Sequence, residues 1–200
     1  MSTILTTPEF DLSQIINGVT VMAPSPFGFH QKLSMKLSYL IQNFLEKNPH
    51  GEIFAAPLDV VLEKDINVLQ PDLIYIKKEN ISIFHLDGHI HGVPDLLVEI
   101  VSSSSISRDT VDKFRIYEKY GVNEYWIVFP EQKVIEVFVL KEGKYSLLCS
   151  TENTEGVVSS IVLQDFKSNV SALRLPLKRW GYSGSVLVCV SFFLLISKFL

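Results

Sequence analysis

Glu99 is the acid among apolar neighbours in Leu96-Leu97-Val98-Glu99-Ile100-Val101, a run that reads as a central strand covered on both faces. A carboxylate buried there without compensation is costly, so a hydrogen-bond network, a basic side chain or a divalent cation must answer it. A second carboxylate at the start of a neighbouring strand would favour the cation, because hard ions take oxygen ligands. Asp72, in Pro71-Asp72-Leu73-Ile74, is that candidate. Asp95 competes from the Glu99 strand itself, but four residues of extended chain put the two Cα atoms about 13 Å apart, too far to share an ion. A Glu-x-Lys arrangement would place a lysine beside a metal-bound water, yet Val101 holds that position. Lys113, one turn into the following helix, leans back toward the helix start and so toward Glu99. Each residue also has a plainer reading: Pro71-Asp72 as a strand entry, Glu99 in a structural ion pair, Lys113 paired with Asp109 four residues earlier. His30, opening the first helix, either reaches this site or caps that helix.

The elements that must position these residues can be read in order. Asn17-Gly18 joins two short extended pieces between Ile15 and Met22, a hairpin signal. From about Phe27 to Glu46, Leu33, Leu37, Leu40, Ile41, Phe44 and Leu45 recur at helical spacing, with Lys32, Lys36 and Gln42 opposite. Three strands follow, at 52–55, 58–62 and 72–76, then a hairpin about Asp87-Gly88 and the Glu99 strand. His85, His89 and His91 flank that turn and lack the convergent ligand set of a zinc site, so the hairpin reading prevails. A second helix runs from about Asp109 to Tyr120, with Val111, Phe114, Tyr117 and Tyr120 toward the core and Gly121 as its stop. Strands at 125–129, 134–140 and 145–149 complete a mixed, covered sheet, and the folded unit ends near Leu173.

With 47% hydrophobic and 20% charged residues, the 200-residue chain can bury one sizeable core. Its formal charge of -4 supplies no global attraction for nucleic acid, so any such contact needs a local patch, for which Lys32, Lys36 and Lys77-Lys78 are the available groups. Cys149 and Cys189 form no CxxC or Cys/His cluster, and the first residues lack a secretory pattern, which together suit a reducing cytoplasmic compartment. Residues 181–197 carry no charge and fall just short of a comfortable membrane span. Flanked by Lys178-Arg179, Trp180 and Tyr182, they read as a membrane tether for a cytosolic domain, or otherwise as a packing segment or an aberrant extension. The division is therefore residues 1–173 as the domain and 174–200 as an apolar tail.

Several stretches taken together carry a resemblance: Asn17-Gly18; Ser25-Pro26 with His30; Gln70-Pro71-Asp72-Leu73; Val93-Pro94-Asp95 through Ser102; Arg108-Asp109 with Lys113 and Tyr117; Gly121 through Val128. In that order, over most of residues 10–170, the chain resembles the Uma family of putative restriction endonucleases within the PD-(D/E)XK nuclease superfamily. The resemblance implies an α/β, restriction-endonuclease-like fold, a mixed β-sheet core flanked by helices. It implies phosphodiester hydrolysis in DNA or another nucleic acid, with Mg2+, or Mn2+ in its place, on Asp72 and Glu99. It moves the lysine onto the helix as Lys113 and suggests a homo-oligomer. Members often carry an acid where Gln14 stands and an aspartate where Phe129 stands. Those departures define the alternative, a catalytically degenerate member that binds nucleic acid or protein, tethered at a membrane if the tail inserts.

Overall fold

The computed structural model describes residues 12–22, 28–85 and 88–170. Strands β1 (Ser13–Ile16) and β2 (Val19–Met22) turn at Asn17-Gly18, where φ of 51° and 77° supplies the left-handed pair that a two-residue hairpin of this twist requires. Helix α1 (Gly28–Leu45) follows, burying the stripe Leu33, Leu37, Ile41 and Leu45. Asn48 closes it by donating from Nδ2 to the Phe44 carbonyl.

The next strands are β3 (Gly51–Ala55), β4 (Val60–Glu63), β5 (Asn67–Leu69) and β6 (Leu73–Lys77). A 3-10 turn (Lys78–Ile83) leads to β7 (Ile90–His91) and β8 (Leu96–Ile100). A π turn (Arg108–Asp112) then opens α2 (Lys113–Tyr120), and β9 (Glu124–Phe129), β10 (Val134–Lys141), β11 (Lys144–Ser150), β12 (Val157–Ser159) and β13 (Lys167–Asn169) complete the order.

A six-stranded sheet, β11-β10-β9-β8-β6-β3, forms the mixed α+β frame, beside a five-stranded sheet β2-β1-β5-β4-β7 and the pair β12-β13. Central β8 runs parallel to β9 and antiparallel to β6. Its residues alternate between two cores. Leu96, Val98 and Ile100 join Leu33, Leu37, Ile41, Leu73 and Trp126, whereas Leu97 and Val101 join Ile74, Ile76, Tyr117 and Tyr125. That double coverage is why the strand reads as one apolar run, and it sends Glu99 to the α2 side.

Three differences from the sequence reading have physical causes. Strand β5 was not foreseen, because three residues after a turn at Asp65 (φ 60°) are too few to show alternation. The β12-β13 pair is equally short. In the second helix Lys113 and Ile116 are buried beside Tyr117, which was not expected of the lysine; Phe114 and Tyr120, half-buried, pack against the same core as read, and Val111 is half-buried. The π turn ahead of α2 shifts the helical phase that a continuous α-helix would have. Gly121 stops the helix at φ 85°, as read. Among the described residues no helix is long and apolar enough to cross a membrane, and residues 181–197 lie outside them.

A second buried acid secures the frame away from Glu99. Glu124 Oε1 accepts from Trp126 Nε1 at 2.6 Å, and Oε2 accepts from the Ile161 and Val162 amides at 2.9 and 3.0 Å. The segment after β12 is thereby tied to the central sheet. Glu124→Leu leaves three donors without acceptors, and a loss of about 3 kcal/mol or more is expected in denaturant unfolding followed by tryptophan fluorescence.

Candidate active site

Register brings the two candidate carboxylates together. Leu73 lies opposite Val98, so continuing the antiparallel ladder by one residue sets Asp72 opposite Glu99 on the same face. Asp72 is held there by the strand itself: its Oδ2 accepts the amide of Ile100, the residue after Glu99, at 2.6 Å. His30 Nε2, from the first turn of α1, stands 3.2 Å from the same oxygen.

Glu99 lies in the interior, 3% exposed. Its Oε1 accepts from Lys113 Nζ at 2.7 Å and from the Tyr117 hydroxyl at 2.8 Å. Lys113, 2% exposed, also places Nζ 3.7 Å from Asp109 Oδ1. Arg108 Nε is 3.8 Å from that carboxylate oxygen. The four residues singled out from sequence, His30, Asp72, Glu99 and Lys113, thus meet in one place. Asp109 and Tyr117 belong with them. The sequence offers Asp109 as a helix partner of Lys113 and within the stretch that carries the family resemblance, and both contacts of that lysine, to Glu99 and toward Asp109, are present. Tyr117 reads from sequence as core and as part of the same stretch; neither marks its hydroxyl as the second donor to Glu99.

Burial pushes the Glu99 carboxyl up to about 8 although Lys113 draws it down. Asp109 is likewise raised, chiefly by burial and again against the pull of Lys113. Burial alone would lower Lys113, but Glu99 and Asp109 outweigh it and keep the ammonium charged. For His30, burial also works against the charged form, and the hydrogen bond and charge of Asp72 prevail, raising its pKa above 6.5.

Other candidates fall outside this centre. Asp95 accepts from the Lys77 amide at 2.9 Å and from Asn80 Nδ2 at 2.9 and 3.0 Å, which anchors the 3-10 turn after β6. Gln14 is buried, and its Oε1 accepts the Gln70 amide at 3.1 Å, fixing the backbone two residues before Asp72. Phe129 packs at the edge of the α2-side core. His85 and His91 have ring centroids 4.5 Å apart, and His89 Nδ1 approaches Asp59 at 3.4 Å. Among the described residues no group of three or more His, Cys, Asp or Glu converges to hold a metal, there or elsewhere.

Fold and site define a mixed α+β protein of nuclease-like architecture, with two register-matched carboxylates and a buried lysine. Residues 6–172 match the Uma2 family, described as "Putative restriction endonuclease", and the chain belongs to that family. A similar solved structure is described as "a putative nuclease belonging to DUF820" from Anabaena variabilis ATCC 29413. It shares 18% identity at a TM-score of 0.67, over 84% of this chain and 93% of that one, a likeness of fold. No curated protein matches the chain.

The opposed effects on His30 give a test of the geometry. In wild-type protein its NMR titration midpoint should lie above 6.5; in Asp72→Asn it should fall, since burial is then opposed only by the Ile100 carbonyl and the more distant Glu99. The sign for stability follows: the His30 contribution is complete below the unfolded value and fades as pH rises through the raised folded one. A midpoint unmoved by Asp72→Asn would refute the pairing.

Proposed function

We propose that the chain is a Mg2+-dependent phosphodiester hydrolase of the PD-(D/E)XK type acting on DNA, with residues 1–173 as the catalytic unit. The observation that carries this reading is the convergence of Asp72, Glu99 and Lys113, with Lys113 Nζ 2.7 Å from Glu99 Oε1. Family membership and fold support a nuclease.

The donor set suits the proposed ion. The two acids that the strands bring to the site, Asp72 and Glu99, are oxygen donors. Mg2+ accepts one or two carboxylates and retains water, and Mn2+ tolerates the same oxygens. Asp72 and Glu99 would hold it. When bound, such an ion polarises a phosphoryl oxygen and lowers the pKa of a coordinated water.

The chain's own groups do the remaining work. The Ile100 amide and His30 fix the Asp72 carboxylate from two directions, so its orientation needs no reorganisation. Tyr117 and Lys113 do the same for Glu99. The Lys113 ammonium, buried and unable to leave its helix, would stabilise charge developing on phosphate oxygens with little competition from water.

Cleavage of single- and double-stranded DNA by the full chain, with Mg2+ or Mn2+, tests the assignment. Asp72→Ala and Glu99→Ala should abolish metal-dependent cutting, assayed at a temperature where melting curves show each variant still folded, since Glu99→Ala also removes a partner of the buried Lys113. Lys113→Met should lower kcat about 100- to 1,000-fold, the usual cost of losing one charge-stabilising donor. A folded wild type that cuts no substrate and takes up no metal by calorimetry would establish instead a non-catalytic binding module, in keeping with the neutral Gln14 and apolar Phe129.

A further inference from the structure

Lys113 has two carboxylates within reach, and the metal site has use for only one of them. Its Nζ is 2.7 Å from Glu99 Oε1 and 3.7 Å from Asp109 Oδ1. Asp109 is 3% exposed, and its Oδ1 makes no hydrogen bond; nor does Arg108 Nε, 3.8 Å from it. The residue is nevertheless firmly placed. Its amide donates to the Ser105 carbonyl at 2.9 Å, and its own carbonyl accepts the Tyr125 hydroxyl at 2.8 Å.

These groups lie on and beside a π turn. The Lys113 amide bonds back five residues to the Arg108 carbonyl, so the turn is wider than an α turn. Residues four apart on a helix share a face, and within this turn Asp109 and Lys113 do so, with Oδ1 3.7 Å from Nζ.

An ammonium this deeply buried cannot be left without a counter-charge. If Glu99 donates its electron density to a divalent cation, its hold on Lys113 weakens, and the lysine needs another acceptor nearby. Asp109 Oδ1 is about 1 Å beyond charge-assisted hydrogen-bond distance and makes no hydrogen bond, the other donor near it being Arg108 Nε at 3.8 Å. We propose that Asp109 is a positioning residue that takes over Lys113 when Glu99 engages a divalent cation, keeping the ammonium charged and aimed at the scissile phosphate. The role rests on the metal-dependent reading above.

Calorimetric titration of the full chain with Mn2+ tests it as a double-mutant cycle in wild type, Asp109→Asn, Lys113→Met and the double variant. Melting curves without metal establish which variants fold, and Asp109→Ala and Lys113→Gln stand in for any that do not. Asp109→Asn should weaken Mn2+ roughly 10- to 100-fold when Lys113 is present, as losses of supporting groups around metal sites do. In the Lys113→Met background it should change affinity less than about twofold. An equal loss in both backgrounds, or none in either, overturns the assignment, because Asp109 would then act through its field alone or not at all. At saturating metal, Asp109→Asn should lower kcat with KM for DNA unchanged, and a raised KM with unchanged kcat would also overturn it. A wild type that takes up no Mn2+ is a separate result, which removes the nuclease reading itself.

Discussion

The buried contact between Glu99 and Lys113 constrains everything around it. Both side chains lie inside the protein, 2.7 Å apart. Such a pair gains little over apolar packing of the same volume, while loss of one partner leaves a buried charge at a cost of about 3–5 kcal/mol. Stability alone is therefore a poor reason to keep it. The supporting structure is extensive: a tyrosine on Glu99, a second acid beside Lys113, a hydroxyl from β9 on the Asp109 carbonyl, and a π turn that phases the helix. Investment on that scale is what preorganised chemistry requires, because supporting groups must hold reacting side chains to a fraction of an ångström.

The frame meets that demand by placing β8 between two partners of opposite sense. Its antiparallel neighbour β6 delivers Asp72, and its parallel neighbour β9 requires a crossover, which delivers α2 with Lys113. A slip of one residue between β6 and β8 would turn Asp72 to the α1 side and separate it from Glu99. Register is thus as much a part of the site as any side chain. It is defended by the alternation of Leu73 and Tyr75 with Ile74 and Ile76 between two buried cores, since a slipped strand would still be apolar but would not fit either packing.

How far the sequence disclosed this follows from what each signal depends on. Glu99 was legible because one acid in an apolar strand has no bland surroundings in which to hide. Asp72 followed from chemistry, as the acid able to join it, and the hairpin at Asn17-Gly18 and the α1 stripe followed from strong local patterns. Lys113 was placed in the right region from the lean of helical side chains, yet its near-complete burial was not foreseen. Helical phase was counted as though the turn were α throughout, and nothing in Arg108-Asp109-Thr110-Val111-Asp112 announces a π turn. The hydroxyls of Tyr117 and Tyr125 were equally silent, because an aromatic at a core position satisfies the hydrophobic pattern whether or not its oxygen has work to do. Three-residue strands escaped for want of length.

Electrostatics link the parts of the proposed mechanism. Asp72, Glu99 and Asp109 place three carboxylates around two fixed cations, Lys113 and Arg108, on a chain of net charge -4. With all three acids ionised, that arrangement would repel a phosphodiester and favour a divalent cation, and His30 adds positive charge only while protonated. A bound divalent ion would reverse the local balance by two units and make the same centre receptive to an anion. On this account the ion and the nucleic acid would bind with mutual enhancement, each raising the affinity for the other by the same factor. The acidic character of the protein, which taken globally argues against a nucleic-acid partner, would then become a means of confining phosphate binding to the one place where a cation is held.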